Sequence, residues 1–305
     1  MKRESGGALR IAGEIVDFTG EWLSIRRGDR VEKYDAQRVM QWTSPRTASQ
    51  QTADELFHNS KWAEAGAAYR RAVGEDQRDW MRRRILANLS LCALNLGDAR
   101  TAGENFALVY RSDPTTPLLD RIPLNWTGGQ LDGETTRWAT ESLQSDQSVK
   151  RLLGASWLLT AQPETAAATL QALATDPDKR IAQLADAQSW RARIVVADRA
   201  EVGRWESKLR ILPAELRCGP ALVVGMALER LGLHEDAAVA MMRAPVEHPR
   251  DVQLASQALL AAGGAMTKHG DQSAASRMYR ELLEHYPQSE AAQLARSRIG
   301  GRIDD

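Results

Sequence analysis

The sequence predicts a mainly α protein, an α-solenoid of helical hairpins preceded by a small antiparallel β-barrel or meander. Three observations predict it. A spacing recurs in which alanine is followed four residues on by a large apolar or aromatic residue, and eight further on by proline. Ala102, Phe106 and Pro114 show it, as do Ala237, Met241 and Pro249, and Ala275, Tyr279 and Pro287. Ala65 and Tyr69 begin it again, with Gln77 in the proline's place. A fixed internal period is the mark of stacked helical hairpins. Residues 8–42 alternate apolar and polar with period two, whereas from about residue 48 apolar residues recur three and four apart. Between the two patterns lies a polar joint, Ser44-Pro45-Arg46-Thr47-Ala48-Ser49, where the domain boundary is expected.

The N-terminal segment reads as five short strands. They are Leu9–Ile11, Glu14–Phe18, Trp22–Ile25, Val31–Tyr34 and Val39–Trp42, separated by turn signals at Gly13, Thr19-Gly20 and Arg27-Gly28-Asp29. The order of glycines and apolar residues from Gly13 to Val39 resembles a small SH3-like or Sm-like β-barrel. Sm-like barrels often bind RNA, but this stretch carries no aromatic-plus-basic site, and protein packing is its plainer role. Little chain precedes Leu9 for a long first strand. Either the barrel is short, or the start lies upstream and a longer precursor carries an export signal. The opening residues Met1 to Gly7 hold basic residues with no apolar stretch after them, unlike a signal peptide.

The helical array begins with hairpins 1 and 2 at 48–114. Leu96-Gly97-Asp98 marks the turn of the second, and Leu231-Gly232 and His269-Gly270 mark the turns of the last two. Gly225 and Gly263 supply small residues in the first helices of those late hairpins, and Asn59 stands where a left-handed turn is needed in the first. These elements resemble the tetratricopeptide repeat, whose pattern runs Trp-x2-Leu-Gly-x2-Tyr, then Ala-x3-Phe and a closing Pro. Small residues let two helices approach, the large residue fills the gap to the next hairpin, and proline stops the second helix. Hairpins 3 to 6 occupy 148–300. The third, with Leu153-Gly154 and Trp157 followed by Ala166 and Leu170, and the fourth, with Glu201, Trp205 and Pro213, fit a HEAT-like hairpin equally well. Trp157 and Trp205 fall at core positions, and Trp62, at a hairpin turn, is placed to dock the barrel onto the array.

One interval breaks the series. Residues 115–147, preceded by Pro114, hold Pro117, Pro123 and Gly128-Gly129, which rule out a continuous helix up to about residue 130; a short helix is expected over Glu134 to Leu143. In a repeat protein such an insertion maps to one face, often the binding face. Its Trp126 is therefore a candidate partner contact, the alternative being a linker pinned to the array by a buried indole.

Composition narrows the function classes. Of 305 residues, 43% are hydrophobic and 26% charged, with 40 basic and 40 acidic residues balancing to zero net charge. That balance gives no general reason to bind nucleic acid. No apolar run approaches the roughly 20 residues of a membrane span. Cys92 and Cys218 read as packing residues. None of the five histidines has a partner at metal-ligand spacing, and no phosphate loop, dinucleotide fingerprint or nucleophile elbow is present. Neither an enzyme nor a cofactor is expected. The run Arg82-Arg83-Arg84 suits an acidic or phosphate partner, but with Asp76 and Asp79 nearby it reads more simply as a solvated helix face.

The resemblance therefore implies a non-enzymatic scaffold that holds a peptide or partner protein in a concave groove lined by the first helix of each hairpin. The family's groove positions carry over to Arg84, Asn88, Leu91 and Asn95 in the second hairpin, to Leu222, Met226, Glu229 and Arg230 in the fifth, and to Leu260, Thr267 and Lys268 in the sixth. The positions at which the chaperone-tail-binding branch holds Lys and Asn are Ala87 and Leu91 here. Alternative functions are an RNA-binding adaptor acting through the N-terminal barrel and a structural component of a cell-envelope assembly. The compartment is cytoplasmic by default, or exported if the start lies upstream.

Overall fold

The structure is a computed structural model that describes residues 9–300; the opening residues Met1 to Gly7 lie outside it. The chain divides into two compact units, residues 1–123 and 124–305.

The first unit opens with an antiparallel sheet of three strands in the order β1-β2-β3: β1 Glu14–Phe18, β2 Trp22–Arg27 and β3 Arg30–Asp35. Ile15 faces Ile25 and Phe18 faces Leu23 across the first pair, and Leu23 faces Tyr34 across the second. The two-residue turn Gly28-Asp29 closes the second hairpin, with Gly28 at φ +60°. Two of the five expected strands do not form. Leu9–Ile11 and Val39–Trp42 are irregular, so the sheet does not close into a barrel. Packing overrides alternation at the second of these. Trp42 turns its ring edge-on to Trp80 at 5.3 Å and to Phe18 at 6.3 Å, which a strand continuing beside β3 would not allow.

Four helices follow: α1 Ala48–His58, α2 Trp62–Glu75, α3 Asp79–Asn95 and α4 Ala99–Ser112. They pack as the hairpins α1–α2 and α3–α4. Side-chain caps fix their starts. Thr47 accepts from the Gln50 amide at 3.2 Å and Asp98 from the Thr101 amide at 2.9 Å. The second hairpin turns at Gly97, φ +81°. In the first hairpin the left-handed residue is Ser60, φ +56°, one position beyond Asn59, which instead caps α1 by donating from Nδ2 to the Glu55 carbonyl at 2.9 Å. Trp62 does not dock the sheet; its ring meets Phe57 at 5.2 Å within the first hairpin. A short 3-10 turn, Pro117–Arg121, ends the unit against α3.

The second unit begins with a buried segment, Leu124 to Trp126, and then α5 Gly133–Leu143, α6 Ser148–Leu158, α7 Pro163–Leu173, α8 Lys179–Arg191 and α9 Arg199–Ile211. It continues through α10 Cys218–Arg230, α11 His234–Met241, α12 Arg243–Glu247, α13 Val252–His269, α14 Gln272–His285 and α15 Glu290–Gly300. The recurrent spacing is core. Ala65, Ala102, Ala166, Ala237 and Ala275 are fully buried, as are Tyr69 and Phe106, and Leu170, Trp205, Met241 and Tyr279 are buried beside them. A Cβ on Gly225 would lie 2.6 Å from Met241 Cγ, and one on Gly263 2.5 Å from the Tyr279 ring. Small residues stand where the paired helix comes closest.

Two departures have local causes. At Gly154 the close neighbour is α5, whose Ala139 carbonyl would be 2.5 Å from an added Cβ. The short helix before hairpin 3 is thus packed tightly on α6. The second helix of the fifth hairpin is split between α11 and α12 because Pro245 has no amide hydrogen and its ring would strike the carbonyl of Met241.

Candidate functional site

The side chains at the candidate groove positions fall into three groups. Leu91, Leu222, Leu260 and Trp126 are buried, at 7%, 1%, 6% and 8% exposure. They pack in the core, at positions where partner contacts are expected from the sequence. For the three leucines the cause is helix geometry: each stands on the edge of its helix that meets a neighbour. Trp126 has its ring wedged on the N-terminus of α10, where Gly219 leaves room, since a Cβ there would lie 2.1 Å from the indole. Its neighbour Asn125 is bonded to Ser156 of α6 through its amide, at 2.9 Å, and accepts from Gln188 of α8 at 3.2 Å through its carbonyl.

A second group is accessible but engaged. Glu229 and Lys268 form an ion pair between α10 and α13. Arg230 donates to the Ala197 carbonyl, Thr267 donates to the Gly263 carbonyl at 3.0 Å, and Met226 is half-buried beside them.

The third group lies in the first unit on the face shared by α1 and α3. It holds Arg84, Asn88 and Asn95, and Asn88 belongs to a chain of polar contacts. Arg46 Nη1 donates to Asp54 at 2.9 Å, and the Tyr69 hydroxyl donates to the same carboxylate at 2.7 Å. Asn88 Nδ2 donates to the Tyr69 oxygen at 2.8 Å, and Asn88 Oδ1 accepts from Arg121 of the 3-10 turn. Burial and the Asp54 carboxylate push the Tyr69 phenol well above its usual range, so it acts as a fixed hydrogen-bond donor. A cleft of about 410 Å³ opens at the Arg46–Asp54 end, lined also by Gln51, Glu55, His58 and Asn59. Asn95 is half-buried at the far end of α3.

Arg84 sits one helical turn before Asn88. Its guanidinium lies over Trp42 at 4.5 Å and over Phe18 at 5.4 Å. Among the described residues it makes no hydrogen bond and no ion pair. Burial lowers its pKa to about 10, the charges of Arg121 and Arg83 push the same way, and Asp120 opposes them. The charge persists at neutral pH, held in place by two aromatic faces.

The basic run is therefore not a uniform solvated face, which corrects the simpler reading of it. Arg82 is exposed, but Arg83 is only 6% exposed. Arg83 reaches Asp17 of β1 at 2.5 Å, the Phe18 carbonyl at 3.1 Å and Ser112 at 3.1 Å. Trp80 adds a bond from its indole to the Ile15 carbonyl at 3.1 Å, and the Gly20 amide donates to Asp113 at 3.0 Å. These contacts fix the sheet on α3 and so place Phe18 and Trp42 under Arg84. The sequence signal was the run itself; the aromatic and acidic residues that separate its three members lie in distant segments.

Cys92 and Cys218 are buried free thiols, and burial raises the pKa of each above the ordinary range. Among the described residues no cluster of His, Cys, Asp or Glu could hold a metal, and no helix is long and apolar enough to cross a membrane.

The tetratricopeptide repeat family model matches residues 257–289. The match covers most of α13, all of α14 and the turn at Gly270, φ +93°. The chain thus carries a tetratricopeptide repeat within a fold of helical hairpins that follow a three-stranded sheet. No curated protein sequence matches the chain.

Proposed function

We propose that the protein is a non-enzymatic interaction scaffold that binds an extended peptide segment of a partner protein along the α1–α3 face of its first unit. A tetratricopeptide repeat suggests a protein-interaction role, and repeat arrays present extended surfaces of this kind. The observation that carries the choice of face is the line of polar groups in which the exposed Arg46 and the half-buried Asp54, Asn88 and Arg121 are linked through the buried Tyr69 hydroxyl, ending beside the unpaired Arg84. Each group is held by its neighbours, so little side-chain entropy is lost when a peptide meets them. In the second unit, Leu222 and Leu260 are buried, so that surface offers fewer accessible groove side chains and is the weaker candidate.

A displayed library of random peptides panned against the whole protein tests the reading. Selected peptides should bind at least tenfold more weakly to Asn88→Ala, while Arg230→Ala binds them as the native chain does. A library that yields no binder, or binders that lose affinity only with Arg230→Ala, would sink the assignment of the face.

A further inference from the structure

We propose that Arg84 and Arg121 form an oxyanion subsite on this face, taking a carboxylate or a phosphorylated hydroxyl of the partner peptide. The proposal rests on reading the α1–α3 face as a peptide-binding surface, and it names the chemistry that surface selects.

A guanidinium presents two kinds of surface, its flat faces and the N–H groups along its edge. The Phe18 and Trp42 rings, at 89° to each other, lie 5.4 and 4.5 Å from the Arg84 guanidinium, so the N–H groups directed away from them are what it has left to offer. That edge is the fork that grips carboxylate and phosphate with two parallel hydrogen bonds. None of its donors has an acceptor among the described residues. Arg84 is half-buried, and a partly desolvated cation without hydrogen bonds to the protein gains from an anion that completes it.

Arg121 makes the arrangement more pointed. Asn88, one turn along α3 from Arg84, accepts a hydrogen bond from Arg121 Nη1 and holds that second guanidinium close enough for its charge to depress the Arg84 pKa. Two like charges held near each other lose energy that a bound anion recovers. The local charges do not cancel. Arg83 is matched by Asp17 at 2.5 Å, and Asp120 lies near Arg84 as the one opposing carboxylate, which leaves one positive charge in excess over Arg83, Arg84 and Arg121. The subsite is built largely outside the repeat, from the sheet that supplies Phe18, the segment that supplies Trp42 and the 3-10 turn that supplies Arg121. It belongs to this chain's additions to the helical hairpins.

The test uses the full chain and inorganic phosphate as the first probe. The Trp42 indole N–H signal, assigned through Trp42→Phe, is followed by nitrogen–proton NMR as phosphate is added. The signal should move with saturable dependence in the native chain. Its midpoint should rise at least tenfold in Arg84→Gln and in Arg121→Gln, each checked for a native dispersed spectrum. It should be unchanged in Arg82→Gln, whose parent residue is exposed. Arg84→Lys keeps the charge without the fork, and should fall between native and Arg84→Gln. A phosphate response in Arg84→Gln and Arg121→Gln equal to that of the native chain would overturn the proposal.

Peptides of one library-selected sequence, carrying Ser, Glu or phosphoserine at a single site, then separate the sources by fluorescence polarisation. Glu or phosphoserine should bind at least tenfold better than Ser, and the advantage should vanish in Arg84→Gln. Peptides that bind native chain and Arg84→Gln alike defeat the subsite and leave the peptide-binding face standing. A phosphate response with no peptide bound defeats the peptide-binding reading and leaves the anion subsite. Single-stranded RNA binding more tightly than the phosphopeptide at the same salt concentration overturns the assignment to a protein partner.

Discussion

Asp76 shows how a single carboxylate sets the acid limit of the first unit. Its side chain is 2% exposed and bridges to Arg78 at 2.5 Å, in the short link between α2 and α3. Burial alone would raise its pKa. The Arg78 guanidinium and backbone amide, both bonded to the carboxylate, outweigh burial and hold it below the ordinary value. A depressed carboxylate contributes stability that is fully present above its unfolded pKa, about 3.9, and is lost as pH falls through the folded value. The urea midpoint of the native chain should therefore fall more between pH 5 and pH 3, on the order of that threshold, than the midpoint of Asp76→Asn. Parallel pH dependences for the two proteins would show that the pair contributes nothing. Residue-scale chemistry of this kind was the least legible in the sequence. Arg83 and Arg84 are neighbours in one run, yet one is buried against Asp17 and the other stacked on Trp42, because helix geometry aims them at different distant segments.

Elements were far more readable, and the reason is geometric. Ala102 and Phe106, or Ala275 and Tyr279, lie one helical turn apart, so burying one buries the other, and the repeat of that relation is visible in sequence. The stops at Gly97, Gly232 and Gly270 were legible because their φ values of +81°, +80° and +93° favour glycine. Val39–Trp42 misled because period two is also what an irregular segment shows when one large ring is drawn into a cluster. The same geometry sets the sign of a substitution. Alanine normally stabilises an exposed helix by about 0.8–1 kcal/mol over glycine. Gly74→Ala, in α2 with open space around it, should gain an amount of that order. Gly154→Ala should instead lose about 1–3 kcal/mol, because its methyl would press on the Ala139 carbonyl. Chemical denaturation of both variants checks the pair. Stabilisation by Gly154→Ala would mean that α5 and α6 are not closely apposed.

Over the whole molecule, the division into two compact units means that each carries its own core. Phe106 is fully buried in the first, and Trp205 stacks in the second on Trp190 at 5.6 Å with the rings 4° from parallel. Removing either ring costs about 3–5 kcal/mol. Calorimetry of Phe106→Ala and Trp205→Ala should show each variant lowering a different part of the unfolding endotherm. One common transition displaced equally by both would mean that the units unfold as one. The boundary at 123/124 lies within the interval 115–147 where the repeat series breaks, but the same hairpin pattern runs on either side of it, and cooperativity depends on which hairpins share buried contacts.

The sheet's attachment has a consequence for inheritance. Three of its bonds to the helices use main-chain atoms of the sheet: the Ile15 carbonyl to Trp80, the Phe18 carbonyl to Arg83 and the Gly20 amide to Asp113. Main-chain atoms are the same whatever side chain a codon specifies. The first hairpin of the sheet can therefore change an exposed side chain such as Val16 without losing these bonds, while Asp17, Phe18 and Gly20 stay constrained by their contacts with Arg83, Arg84 and Thr115.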